Sequence, residues 1–282
     1  MRRFLISGVV AGCTLAGSAL AADLGMPRAG VVAPVAVGPE WSTTAILTGS
    51  YLGVTKGFSD RSAVGLQVDG FHRSGWGYHV EGAGQFREED GAYFAGGFSY
   101  AFSPSVRAKL VVGSSSRNWG ILPSFAAIGS VEFKSDPSIG LVLTPSVAYR
   151  KYRNGIEEVT PKLDLSKYFA PFANGAYIVG QVGAAAISAN PGSNVGYELS
   201  GGLTYVMPNS YSVGVEVFGG QMAYDVLLPA GPNASVKNRF VGVRPKVGFN
   251  LTQTIELFVR GEFVNTQYYD VRGGTLGLVA RF

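Results

Sequence analysis

The sequence predicts an all-β chain, a closed antiparallel transmembrane β-barrel of about fourteen strands, with twelve as the alternative. Three observations predict it. Apolar and polar residues alternate with period 2 through most of the chain after Trp41. Beyond the N-terminal leader there is no apolar run of about 18 residues that could form a membrane-spanning helix, yet mean hydropathy is +0.19. The composition combines 40 glycines, 14 tyrosines and 17 phenylalanines with only 15% charged residues, unusual for a soluble enzyme. Apolar surface spread over alternating strands implies contact with lipid. In lipid every backbone N–H and C=O must be paired internally, so such a sheet must close on itself.

The elements follow in chain order. Met1-Arg2-Arg3 is a short cationic start, residues 4–21 are apolar and small, and Ala19-Leu20-Ala21 is an A-x-A site. Residues 1–21 therefore read as a secretory signal peptide cut before Ala22. Val10-Ala11-Gly12-Cys13 offers an alternative, a lipoprotein box that would lipidate Cys13, with a weak Val at its first position. With the ordinary cut the sole cysteine leaves, and the mature chain has no disulfide or thiol chemistry. Loss of Arg2 and Arg3 leaves 21 basic side chains against 19 acidic. With no Lys/Arg run anywhere, nothing points to nucleic acid. Residues 22–41 form a Pro/Ala-rich segment with little periodicity, expected to be a periplasmic tail.

The barrel is expected over residues 42–282, as strands at 43–55, 62–72, 76–87, 91–102, 105–115, 121–133, 138–151, 156–168, 175–188, 195–207, 211–225, 239–249, 254–266 and 271–282. The first two are Gly-rich, which keeps twelve strands in play. In the third, Trp76, Tyr78, Val80 and Phe86 share one face, with His79, Glu81, Gln85 and Arg87 opposite. Tyr197, Leu199, Leu203 and Tyr205 alternate likewise, opposite Glu198. Val241, Val243, Val247 and Phe249 oppose Arg244 and Lys246, and Ile255, Leu257, Val259 and Phe263 oppose Glu256, Arg260 and Glu262. A fourteen-strand count places the compact turns at 103–105, 136–138, 208–210 and 252–254 on one side, taken as periplasmic. It places the longer connections at 188–194 and 227–238 on the other side. Pro123, Pro145, Pro161 and Pro245 fall inside expected strands. Each removes a ladder donor, so bulges, gaps or shorter strands are expected there.

The last stretch, VRGGTLGLVARF, ends on an aromatic residue, with Gly274, Leu276, Leu278, Ala280 and Phe282 on one face and Thr275, Gly277, Val279 and Arg281 on the other. It resembles the closing strand of bacterial outer-membrane β-barrels. Thr275, Gly277, Leu278 and Phe282 fit that pattern, and Ala280 departs from it. The resemblance implies that Gly277 and Phe282 belong to a signal read by the outer-membrane barrel-assembly machinery. A second stretch, Tyr149, Tyr152 and Gly155 followed by Val159-Thr160-Pro161 and Tyr168, resembles the mid-barrel hairpin of the YaiO-type outer-membrane barrel family. That resemblance implies an envelope barrel linked to polysaccharide handling. Related barrels end polysaccharide-export proteins that bring long periplasmic helical repeats, and none is present in this sequence. The Ala-Asp-Leu and Pro-rich start of the tail resembles small alphaproteobacterial porins. The expected location is the outer membrane of a Gram-negative bacterium, reached by signal-peptide export through the inner membrane, with outer-membrane lipid as a partner.

A charge on the lipid face costs about 2–4 kcal/mol at mid-membrane, so charged residues are expected inward. The basic candidates for a pore lining are Arg107, Lys109, Arg150, Lys162, Arg244, Lys246 and Arg260. The acidic candidates are Glu81, Glu198, Glu216, Glu256 and Glu262, with Asp69, Glu158 and Asp164 on the same parity. Two readings stand equal: a narrow channel selecting small polar solutes or sugars, and a lumen closed by paired charges that serves structure or partner binding. A lipid-modifying enzyme is the third reading. It would use His72-x-Ser74, which resembles the His-x-Ser of outer-membrane lipid A deacylases, with Glu81 as acid, although Arg73-Ser74-Gly75 equally suits a turn. Two histidines give no closed metal set, no phosphate loop occurs, and no cofactor is expected. The tyrosines and tryptophans near strand ends are expected to form interfacial girdles.

Overall fold

A computed structural model describes residues 40–56, 58–86, 90–116, 122–136, 138–169, 171–172, 175–190, 194–223 and 238–282. The leader at 1–21, Cys13, the tail up to residue 39, Arg87 and the connection at 227–237 lie outside the described residues. The strands are β1 (Trp41–Val54), β2 (Arg61–His72), β3 (Trp76–Phe86), β4 (Gly91–Ser103), β5 (Val106–Ser115), β6 (Phe125–Lys134) and β7 (Leu141–Lys151), then β8 (Glu157–Tyr168), β9 (Tyr177–Asn190), β10 (Asn194–Met207), β11 (Tyr211–Gln221), β12 (Arg239–Asn250), β13 (Ile255–Thr266) and β14 (Asp270–Arg281). Each pairs antiparallel with its neighbour in sequence, and β1 closes on β14 from Thr44↔Arg281 to Val54↔Val271. The Gly-rich first two strands pair without a break from Trp41↔His72 to Leu52↔Arg61, which rules out the twelve-strand alternative. The sheet starts at Trp41, one residue before the expected boundary.

An even strand number puts the start of β1 and the end of β14 on one rim, here called the terminal rim. The turns at 103–105, 208–210 and 252–254 lie there too, with the described ends of that at 136–138, and β9 and β11 end on the opposite, distal rim. The chemistry of these turns suits tight reversals. In Met207–Ser210, Pro208 is followed by Asn209 at φ 60°, and the Ser210 N–H donates to the Met207 carbonyl at 3.2 Å. This is the Pro-then-positive-φ pattern of a type II turn. Asp136 accepts from the Ser138 hydroxyl at 2.6 Å and its N–H at 2.9 Å, which holds the Asp136 carboxyl below its ordinary range.

The prolines produce gaps, not bulges. Opposite Pro145 the β6–β7 ladder runs Ser130↔Ser146 and resumes at Phe133↔Leu143. Opposite Pro161, β8–β9 skips from Val159↔Ser188 to Lys162↔Ala185, and opposite Pro245, β12–β13 skips from Val243↔Phe263 to Lys246↔Arg260. Register is the same on both sides of each gap, because the missing N–H breaks the ladder on one edge only. The other edge stays paired through each proline. Pro123 precedes β6, whose start at Phe125 is later than expected.

Parity holds around the whole circumference. Every strand shows at least one large, exposed apolar side chain on the outside, among them Leu47, Val80, Leu110, Val147, Leu203 and Leu276. A continuous apolar band of this extent is a lipid-facing surface, far beyond the patches that soluble monomers tolerate. Leu110→Arg or Val259→Arg, near the middle of β5 and β13, should therefore cost about 2–4 kcal/mol. Thr48→Arg, inside the barrel, should cost far less. Urea midpoints of the three variants refolded into lipid vesicles check this ordering.

The inside is polar towards the terminal rim and apolar at parts of the distal rim. Leu52, Phe218, Val264, Tyr269 and Val271 form one buried cluster there, with Phe58 and Phe240 packed on it. Tyr152, Ile156, Ile187, Ala189 and Ala223 form a second. Some of the expected girdle is thus internal: Tyr152 and Tyr269 are buried, while Tyr93, Tyr168 and Tyr177 line the interior. Parity explains this, because a tyrosine near a strand end can face either side. An outward cluster remains at the terminal rim, where Trp41 meets Trp76 edge-on at 4.5 Å and lies 5.7 Å from Tyr78.

Candidate functional site

Among the described residues the interior holds a cavity of about 1420 Å³. It runs from terminal-rim turn residues such as Pro104, Pro208 and Gln253 to Gln85, Tyr93 and Leu122 near the distal ends of β3, β4 and β6. Towards the distal rim the two apolar clusters fill part of the inner face, built from β1, the β7–β8 hairpin, β9, β11, β13 and β14. The β14–β1 wall is hydroxyl-rich, with Thr275, Ser42, Thr44, Thr48 and Ser50, and carries Arg281 at its terminal end.

Charged residues reach the cavity because inward positions fall at i, i+2 on each strand. Eleven of the twelve candidate residues line it: Glu81, Arg107, Lys109, Arg150, Lys162 and Glu198 on β3–β10, and Glu216, Arg244, Lys246, Glu256 and Arg260 on β11–β13. Glu262 is buried behind Arg244 instead.

The charges sort into local sets. Arg244 spans two strands, meeting Glu262 at 3.1 Å and Glu216 at 3.5 Å. Arg150 pairs with Glu158, which also accepts from the Thr160 hydroxyl at 2.8 Å. Lys162 meets Asp164 at 3.0 Å and Arg281 meets Glu256 at 2.7 Å. Lys109 reaches over β4 and β3 to Asp69 at 3.1 Å, and Asp69 bonds buried His79 at 2.8 Å. Such pairs hold the charged side chains against the wall.

His79 and Arg281, which alternation places on the same faces as Glu81 and Thr275, also line the cavity. So do Arg61, which counting in steps of two from Asp69 reaches, and Glu132 and Lys134 on β6, which the sequence does not single out. Phe71, Phe218 and Phe258 lie on the inward parity too, two residues from Asp69, Glu216 and Glu256, but the cations they meet were not legible from spacing. They are apolar residues on the polar face, and each carries a cation: Arg107 lies 4.1 Å above Phe71, Arg244 3.8 Å above Phe218 and Lys246 5.3 Å above Phe258. An aromatic face attracts a cation without neutralising it. Gly277 has a packing duty as well, since a Cβ there would sit 2.2 Å from the Phe258 ring. Phe282 is exposed, and its backbone exchanges hydrogen bonds with Thr43 at 2.8 and 3.0 Å.

His72 and Ser74 do meet, with Nδ1 and Oγ 2.7 Å apart. The Ser74 N–H also donates to Nδ1 at 3.2 Å, inside a tight turn closed by Gly75 N–H to His72 C=O at 2.9 Å. The acid suggested for them is elsewhere: Glu81 faces the lumen, 3.7 Å from His79 Nε2. His72 instead stacks against Trp76 at 5.5 Å. His72→Ala or Ser74→Ala should leave the host's lipid A unchanged by mass spectrometry; an altered acyl pattern would revive the enzyme reading.

The chain matches no protein-family model, and no curated protein sequence matches it significantly. Solved structures share its fold. A bacterial polysaccharide outer membrane secretin aligns at TM-score 0.55 and 8% identity, over 85% of this chain and 98% of that one. OprB of Pseudomonas putida aligns at TM-score 0.50 and 6% identity, over 86% and 93%. At these identities the likeness establishes the closed outer-membrane-type barrel and nothing finer.

Proposed function

We propose that the protein is an outer-membrane channel for small polar solutes. The observation that carries this reading is the long charged and hydroxyl-lined cavity inside a barrel whose outside is apolar on every strand. The lining pairs its charges against the wall, so a solute meets alternating basic, acidic and hydroxyl groups without one dominant sign. A non-catalytic, saccharide-handling role fits the YaiO-type resemblance of the β7–β8 hairpin and the presence of Tyr93, Tyr168 and Tyr177 on the cavity. The fold shared with a polysaccharide outer membrane secretin is in keeping with it. Export by a signal peptide at 1–21 and assembly through Gly277 and Phe282 complete the reading.

The apolar clusters at the distal rim favour a second reading, a barrel closed at that end. Planar-bilayer recording of the refolded mature chain decides between them. The channel predicts stable conductance steps that scale with salt. Silence from protein shown to be folded by its heat-shifted gel mobility would leave the closed barrel and remove the channel.

A further inference from the structure

We infer that Arg107 is an anion-binding station near the terminal mouth of the lumen, specific for a small solute bearing a carboxylate or phosphate. The inference rests on the part of the channel reading that opens the lumen to solute at its terminal mouth.

Two cations leave the inner face of β5 side by side. Both cross the small inward residues of β4, Gly97, Ser99 and Ala101, towards β2. Lys109 ends on Asp69 and is neutralised there. Arg107 ends on the face of Phe71, 4.1 Å from the ring centre. Gly77 makes room for that ring, since a Cβ there would lie 3.1 Å from it. The cross-strand neighbour of Arg107 is Glu132, whose carboxylate is 3.0 Å from Lys134. Among the described residues Arg107 has neither a carboxylate nor a hydrogen-bond acceptor, and its buried Nε has no partner.

The result is a guanidinium held over an aromatic face, with no carboxylate of the described residues in ion-pair reach, one residue inside the rim at Val106 and on the cavity wall. Guanidinium N–H groups match the two oxygens of a carboxylate or phosphate. The aromatic platform fixes the orientation before a ligand arrives, so little ordering cost remains on binding. Ser103 and Ser105 on the adjoining turn line the same stretch and offer hydroxyls to a polyol.

Calorimetric titration of the full mature barrel, refolded in detergent, with glucuronate and with glucose tests this. The two share a ring and differ in carboxylate against hydroxymethyl. Saturable binding of glucuronate and none of glucose is expected. Arg107→Gln should weaken glucuronate about tenfold or more, the size of a lost charge-assisted hydrogen bond. Phe71→Leu, which keeps the charge and removes the platform, should weaken it several-fold. Inorganic phosphate should compete in the wild type. If Arg107→Gln does not reach the heat-shifted folded form, Arg107→Lys replaces it and should also bind less tightly. Absence of glucuronate binding, or equal binding by the Arg107 and Phe71 variants, overturns the site. Binding does not require conductance: a silent barrel that binds through Arg107 rejects the channel and keeps the site, and a conducting barrel whose binding ignores Arg107 does the reverse.

Discussion

Arg244→Met is expected to destabilise the barrel by about 3–5 kcal/mol, the cost of breaking a buried ion pair from one side. Arg244 and Glu262 are 5% and 7% exposed as side chains, and the guanidinium also covers Phe218 and reaches Glu216. Methionine fills much of the volume but leaves the Glu262 carboxylate buried without its cation. Removing both charges, in Arg244→Met with Glu262→Met, should restore most of the loss, because the desolvation cost goes with the pair. Urea unfolding of the barrel in lipid vesicles measures both. A single variant within 1 kcal/mol of wild type would mean that lumen water, not Arg244, solvates Glu262.

Gly273→Ala should cost about 3 kcal/mol, the upper end for inserting a methyl group where there is no room. Its Cβ would meet the Tyr51 carbonyl oxygen at 2.0 Å and the Leu52 Cα at 2.8 Å. Both are backbone atoms of β1, so no side chain can swing aside, and the clash lies on the β1–β14 seam that closes the barrel. Gly49→Ala and Gly129→Ala, where a Cβ meets nothing within 4 Å, should stay within about 0.5 kcal/mol. Urea midpoints and the yield of heat-shifted protein separate the two classes. Equal behaviour of Gly273 and Gly49 variants would show that the seam can spread.

Much of the barrel was legible because its main rule is local. Alternation assigns each side chain to lipid or lumen by counting, whatever the neighbours are, which is how Glu81, Lys109 and Arg244 were placed inward from sequence. The proline gaps were anticipated in kind, and the exact response was not. Whether a lost N–H shifts register or merely skips a rung depends on the pairing of the opposite edge. His72 and Ser74 illustrate the opposite limit: their contact was readable from spacing, but the distance from Glu81 required the strand directions in space.

The sequence by itself determined an antiparallel barrel, its strand parity and an even strand count, because those follow from a two-residue period and from the need to pair every backbone group in lipid. Pairing of Arg244 with Glu216 and Glu262 on neighbouring strands follows from the alternation, and only the tertiary structure decided which charges meet across more than one strand. Closure curves the sheet, so side chains on strands three apart converge inside, as Lys109 with Asp69 and Arg107 with Phe71 do. It also gathers Leu52, Phe218 and Val264 from far-apart strands into a distal cluster. No periodicity along the chain encodes those meetings, since they depend on the curvature and shear of the closed sheet.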